Sequence, residues 1–230
     1  MKKQSFRLLL DYFRQCFELV DIFHFNSNVA KSQFEAAIGT TCNRVVPIVH
    51  QGIQDHRIGK RFDNSCLRIG FIGSETPYKG LPQLKQTLAQ IDISKWHLDV
   101  WGGRVAEETD LPISYKGKFN QKNISLVYNE MDLLVVPSIW KETFSLVTLE
   151  ALSYGVPVLV SNNVGAQDIV REYDDSFVYS TKDELLAKLR NLVDDRTELI
   201  QYNAAILNNP WKYDVLKHAQ ELMNKVYEKL

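Results

Sequence analysis

Apolar positions at the start of the chain recur at helical spacing. Phe6, Leu9, Leu10, Phe13, Phe17 and Val20 lie along one side of a helix over residues 4–20. A short strand over 21–25 follows, then Asn26-Ser27-Asn28 as turn and cap for a helix over 29–37. Residues 44–49 read as a strand, and 51–65 form a polar stretch without a period, which predicts a linker. From Leu67 onward the pattern is regular. Strands over 67–72, 97–101, 113–115, 133–136, 158–160 and 177–179 alternate with helices over 79–91, 123–130, from about Ser145, and over 166–171. Helices over 182–193 and 196–207 close this part. Pro210-Trp211 then breaks the chain before an amphipathic helix over 212–229. Strand–helix alternation implies parallel pairing with right-handed crossovers, so the fold class is α/β with a doubly wound parallel sheet.

Composition changes this picture little but excludes several classes. Forty-five per cent of the 230 residues are hydrophobic, enough for a sizeable core. The formal net charge is −1 and no long basic block occurs, which gives nucleic-acid binding no support. Cys16, Cys42 and Cys66 are odd in number and far apart, with no C-x-x-C, which favours reduced thiols in the cytosol. Arg7, Asp11 and Arg14 interrupt any signal-peptide core after Met-Lys-Lys, and no run reaches the roughly 18 apolar residues of a membrane span. The expectation is a cytoplasmic protein, peripheral to a membrane at most.

Two segments carry candidate chemistry. Gly70-Phe-Ile-Gly73-Ser74-Glu75-Thr-Pro-Tyr-Lys79-Gly80 runs from a strand into a helix, where glycines allow close backbone approach and a lysine can neutralise a diphosphate. By itself it matches neither G-x-G-x-x-G nor the Walker pattern, and a tight turn with a solvated lysine explains it equally well. The second segment, 134–168, is a buried strand, a loop with Glu142, a helix start near Ser145, Glu150 on its second turn, and a stop at Gly155-Val156-Pro157 before another apolar strand. Its loop and helix start lie at the carboxyl end of a parallel sheet, where open α/β folds bind ligands. Helix N-termini there bind anions because their first amides lack partners. Two glutamates at this spacing also arise as a solvated face. Glu142, however, sits in a loop, and Glu150 is flanked by Leu149, Ala151 and Leu152, so its carboxylate needs a partner such as sugar hydroxyls or a nearby lysine.

P-S-x-W-x-E-x-F-S-L-V-x-L-E-A followed by G-V-P-V resembles the donor-site signature of the retaining glycosyltransferases of family 4, which have the GT-B fold. F-I-G-S-x-x-x-Y-K-G and N-V-G-A-Q-D-I-V are similar to that family's flanking motifs. The resemblance covers about residues 20–230. It implies a Rossmann-like donor-binding domain over 67–209, preceded by a remnant of the acceptor domain with a linker over 1–66 and followed by a crossover helix over 210–230. It further implies transfer of a hexose, with retention, from a nucleotide-sugar to a polysaccharide or lipid-linked acceptor. Glu142 would hold hydroxyls of the sugar and Glu150 those of the ribose. Lys79 would contact the diphosphate, with Gly73 and Ser74 beside it, while Thr143 and the amides of Phe144, Ser145 and Leu146 would cap it. Gly117 would lie near the base. Glu142 and Lys79 are the catalytic pair on this reading. With no Asp-x-Asp and scattered histidines, lysine and helix amides replace a metal at the leaving group, and no cofactor is needed.

Three departures from the family pattern stand out. Ser74 occupies a position where an arginine is common, and Arg104 in Trp101-Gly-Gly-Arg104 is a candidate substitute phosphate contact. Ser145 stands where glycine is usual, and a serine can cap a helix. Most of the first GT-B domain has no counterpart, so a partner chain or a homodimer would replace it, or the chain is a fragment. A nucleotide-sugar-binding subunit, inactive alone, is the alternative reading. A different GT-B enzyme, such as an epimerase or a phosphorylase, is a third reading; the acid/base carboxylates and histidines that an epimerase needs around its cleft are not found. The first helix, with Lys2, Lys3, Phe6, Arg7, Phe13, Arg14 and Phe17, would lie on a membrane surface or pack on the protein or a second copy.

Overall fold

The computed structural model describes the backbone of residues 2–39, 42–50, 52–103 and 110–229, with side chains from residue 7 to residue 228 within those ranges. Arg104, Lys2, Lys3 and Phe6 lie outside the described side chains. The chain runs α1 (Lys2–Phe17), β1 (Phe23–Phe25), α2 (Asn28–Ile38), β2 (Asn43–Val45), β3 (Leu67–Ile72), α3 (Leu81–Leu88), β4 (Trp96–Trp101), β5 (Ile113–Gly117), α4 (Ile124–Asn129) and β6 (Leu133–Val136). It continues with α5 (Leu146–Ser153), β7 (Val158–Ser161), α6 (Gln167–Tyr173), β8 (Val178–Tyr179), α7 (Lys182–Asp194), α8 (Thr197–Asn208) and α9 (Val215–Lys225). Six strands form one sheet of order β5-β4-β3-β6-β7-β8, parallel throughout.

This is the doubly wound parallel sheet that the alternation predicts. Both faces are covered, so the central strands are apolar on both sides: every residue of β6 and β7 is buried. Trp96, Tyr128, Tyr202, Phe71 and Phe177 are the largest fully buried side chains of the core. Helix ends follow local chemistry. Thr181 accepts the Glu184 amide at the start of α7, and Asp214 accepts that of Lys217 at the start of α9. The Asp214 cap explains why the last helix begins at Val215 and not at residue 212.

The helix predicted over 79–91 is shorter, and its first residue belongs to a separate turn. A 3-10 turn spans Pro77–Lys79 and α3 begins at Leu81, because Gly80 between them takes a left-handed conformation at φ 79°. Residues 52–66 contain no helix or strand, as their lack of period implies, yet they are no free tether. Ile53 and Phe62 are buried in the core, the His56 amide donates to the Ser153 carbonyl at 2.8 Å, and the Asn203 side chain bonds the Lys60 amide and the Ile58 carbonyl. Arg57 forks onto Asp55 and donates to the Asn209 carbonyl while lying over the Trp211 ring. Trp211 and Tyr213 are buried, whereas Leu216 and Tyr227 of the terminal segment are exposed.

The N-terminal extension forms a separate two-stranded parallel sheet of β1 and β2. Phe17, Phe23 and Phe25 gather around Phe34 of α2 with ring centroids 5.2–5.4 Å from it. Leu8, Leu9 and Tyr12 of α1 stay exposed, so only part of that helix's apolar surface packs on the extension.

Lys60 supplies a pH-dependent test of the strap. Its ammonium donates to the carbonyls of Tyr128 and Asn129 at the end of α4, and burial pushes its pKa down to about 8 from 10.5. Between those values the unfolded chain binds more protons than the folded one, so this residue makes stability rise with pH from about 8 to about 10.5. Lys60→Met should flatten that part of the curve, as read by urea denaturation across the window.

Candidate functional site

The strand order reverses between β3 and β6, and the loops that follow these two strands diverge there. The loop after β3 leads through Gly73 to the 3-10 turn that ends at Lys79. The loop after β6 runs from Pro137 to Ser145. The two are stitched together where the Ile139 amide donates to the Tyr78 carbonyl at 2.9 Å. Gly80 has both a positive φ and no room: a Cβ there would stand 1.8 Å from the Pro137 carbonyl oxygen. That close approach brings Lys79 onto Glu142.

Lys79 Nζ donates to Glu142 Oε1 at 2.9 Å, and the Ser138 hydroxyl donates to the same oxygen. Lys79 keeps 41% of its side chain exposed against 13% for Glu142, so the lysine is the more solvated partner. The backbone of Glu142 is held on both sides: its amide donates to Asn163, and its carbonyl accepts from Gly165. Phe144 accepts from the Ala166 amide in turn. A Cβ on Gly165 would lie 2.2 Å from the Thr143 carbonyl oxygen, so the two loops touch only because that residue is glycine. Ser27, which caps α2, also donates to the Thr143 carbonyl at 2.6 Å, and Asp168 accepts both the amide and side chain of Asn28. The extension is thereby tied to the site loop.

Helix α5 starts at Leu146 with no side-chain cap. Among the described residues, the amides of Phe144, Ser145 and Leu146 make no hydrogen bond. They form an unpaired donor set at the positive end of the helix. The cap expected of Ser145 does not form. The residue sits at φ 112°, ψ 90°, and its hydroxyl accepts from Thr148 at 3.1 Å instead. Such a φ is easy for glycine and strained for serine.

Gly73, Lys79, Glu142, Thr143, Phe144, Ser145 and Leu146 line one cleft of about 560 Å³, together with Asn26 and Ile48 from the extension. A larger groove of about 890 Å³, walled by Phe13, Phe17, Phe34 and Trp140, meets it at Glu142 and Thr143. Ser74 is exposed beyond the cleft and pairs with Thr76. Gly117 ends β5, two strands away from β3, with its carbonyl accepting from Gly102. Glu150 does not line the cleft either. Its partners are the Tyr128 hydroxyl at 2.7 Å and the His50 imidazole at 3.4 Å, in place of the lysine that was one expected alternative. Burial, and then the charge of Glu150, push the Tyr128 phenol well up, so it remains a donor. Ser138 lay inside the motif, four residues before Glu142. His50 and Tyr128 carry no sequence signal, since neither shares a helix face or a motif with Glu150. Among the described residues no group of His, Cys, Asp and Glu is placed to hold a metal ion.

The sequence profile of the family described as "Glycosyl transferases group 1" matches residues 53–208. The chain is 26% identical over 216 residues to the sulfoquinovosyl transferase SQD2 of Arabidopsis thaliana, covering 83% of this chain and 41% of that protein. It is 25% identical over 196 residues to the capsular polysaccharide biosynthesis glycosyltransferase CapM of Staphylococcus aureus, covering 77% and 51%. The chain thus spans about half the length of these relatives or less. Among solved structures, it superposes on Anabaena HepE in complex with UDP and glucose with a TM-score of 0.75 at 16% identity, covering 99% of this chain and 67% of that one. For the apo lipopolysaccharide outer core galactosyltransferase WaaB the values are 0.73, 19%, 94% and 64%. The sheet and its helices are those of the Rossmann-like half of GT-B glycosyltransferases.

Two substitutions test this geometry. Ser145→Gly should relieve backbone strain of about 1 kcal/mol and raise Tm by roughly 2–4 °C in a thermal melt. Gly80→Ala should destabilise the chain by at least ~2 kcal/mol in urea, because a left-handed residue gains a Cβ against a carbonyl.

Proposed function

The chain belongs to the glycosyl transferases group 1, and from that premise we propose that it transfers a hexose from a nucleoside diphosphate sugar to a polysaccharide or glycolipid acceptor, with retention at the anomeric carbon, as a member of family 4. The observation that carries this reading is the contact of Lys79 with Glu142 beside the unpaired first amides of α5. A diphosphate needs neutralisation and a sugar needs its hydroxyls held, and this cleft offers both within one side chain's reach.

Bond breaking at the anomeric carbon leaves negative charge on the departing diphosphate. Lys79, free to turn away from Glu142, and the amides of Phe144, Ser145 and Leu146 would receive that charge. Glu142, fixed by Ser138 and by its own backbone, would accept from sugar hydroxyls. The acceptor oxygen would attack on the face from which the diphosphate leaves, so no side chain has to act as nucleophile. On this reading lysine and helix amides do the work of a metal ion, and no cofactor is required. HepE holds UDP with glucose, and CapM serves capsular polysaccharide biosynthesis. These make a uridine diphosphate sugar the first donor to try and an envelope polysaccharide the first acceptor. None of the described helices is long and apolar enough to cross a membrane. We propose a cytoplasmic location, peripheral at most to the inner membrane face.

A second reading, a nucleotide-sugar-binding subunit completed by another chain or a second copy, is favoured by one feature. Among the described residues the parallel pair β1–β2 gains no third strand and stands beside the apolar groove, and two strands alone are seldom stable.

A thermal-shift series with UDP, GDP, ADP and their sugar conjugates tests the site. One base should raise Tm by roughly 5–10 °C at about 100 times its dissociation constant, and absence of any shift would sink the reading. Lys79→Met should lower nucleotide release from the sugar donor by about 10²–10³-fold. Binding without release in the unaltered chain would point to the subunit reading.

A further inference from the structure

Glu150 is a nearly buried carboxylate, 14% exposed, and no lysine or arginine contacts it among the described residues. Its two oxygens are engaged separately. Tyr128 donates to Oε2 at 2.7 Å, and His50 Nε2 stands 3.4 Å from Oε1. Both partners are themselves held from behind. The Tyr128 ring is fully buried and stacks at 5.3 Å on Tyr154, which stacks at 5.0 Å on His56. His50 Nδ1 accepts the Gly52 amide at 3.0 Å, so the lone pair lies on Nδ1 and the imidazole proton on Nε2, facing Glu150.

An ionised carboxylate has two acceptor positions on each oxygen. Tyr128 and His50 each occupy one, on different oxygens, which leaves one on each. A carboxylate held in that state accepts from two neighbouring hydroxyls at once. We propose that His50 and Tyr128 are positioning residues that hold Glu150 as a two-pronged acceptor for the vicinal diol of the donor's ribose. This rests on the nucleotide-sugar reading of the site. It assigns a function to the segment that joins the N-terminal extension to the sheet: it supplies one of the two groups that aim the ribose-reading carboxylate.

The test pairs a change in the protein with a change in the ligand. Affinity is measured for UDP, or for GDP or ADP if either gives the larger thermal shift, and for the 2′,3′-dideoxy form of the same nucleotide. His50→Leu should weaken the ribose nucleotide about five- to tenfold and leave the dideoxy form unchanged. His50→Gln, whose amide N–H can replace Nε2–H, should recover most of the loss. Tyr128→Phe keeps the stacked ring and should show the same selective loss. In steady state, each loss should raise KM for the sugar donor with kcat little altered. Equal weakening of both ligands, or of neither, overturns the positioning role while the site reading stands. If the unaltered chain binds no nucleoside diphosphate, the site reading falls and this proposal with it.

Discussion

Parallel pairing of β3 with β4 on one side and β6 on the other is the constraint on which the site depends. Each parallel crossover needs a helix, and right-handed crossovers send the helices after β3 and β6 to opposite faces of the sheet. The loops that begin those crossovers must therefore part at the carboxyl edge. The cleft is the space they leave. Its width is set by backbone contact, because the turn after β3 lies against the Pro137 carbonyl through Gly80. Lys79 meets Glu142 as a consequence of that packing. Attraction between two partly solvated charges is too weak to organise the loops by itself.

The two glutamates of the motif occupy unlike surroundings. Glu142 lies in a loop whose amide and carbonyl are bound by the 163–165 segment, and it shares a cation with the cleft. Glu150 lies inside a helix and is bound by a phenol and an imidazole. The lysine paired with Glu142 is the more exposed of the two. A carboxylate held by donors on both of its oxygens has its direction fixed.

Contacts from the extension reach the site from outside the sheet. Ser27 binds the Thr143 carbonyl, Asn28 binds Asp168, and His50 stands at Glu150. The strap between the extension and the sheet is anchored by Ile53, Phe62 and Arg57. A change in how the extension sits would thus be felt by the loop after β6 and by the first turn of α6, through direct hydrogen bonds. The extension's own core, a cluster of phenylalanines beside a broad apolar groove, is far less enclosed than the core of the large sheet.

The amino-acid sequence by itself determined the sheet and the motif. Runs such as Leu133–Val136 and the apolar stretch from Val158 are buried on both faces, as strands of a covered parallel sheet are, and their alternation with helices selects that sheet. Glu142, Lys79 and the helix start at Leu146 were legible because strand–loop–helix order places them at one edge. Tertiary structure alone decided the rest. The break at Gly80 and the strain at Ser145 depend on backbone angles imposed by the facing loop, and a one-letter code does not carry them. Burial of the 52–66 strap depends on the surface it lies on, since its sequence has no period to declare a buried face. The partners of Glu150 come from positions 50 and 128, far apart along the chain. Only folding brings an imidazole and a phenol to the same carboxylate, because the requirement they meet, a buried charge in need of donors, arises only once that charge is buried.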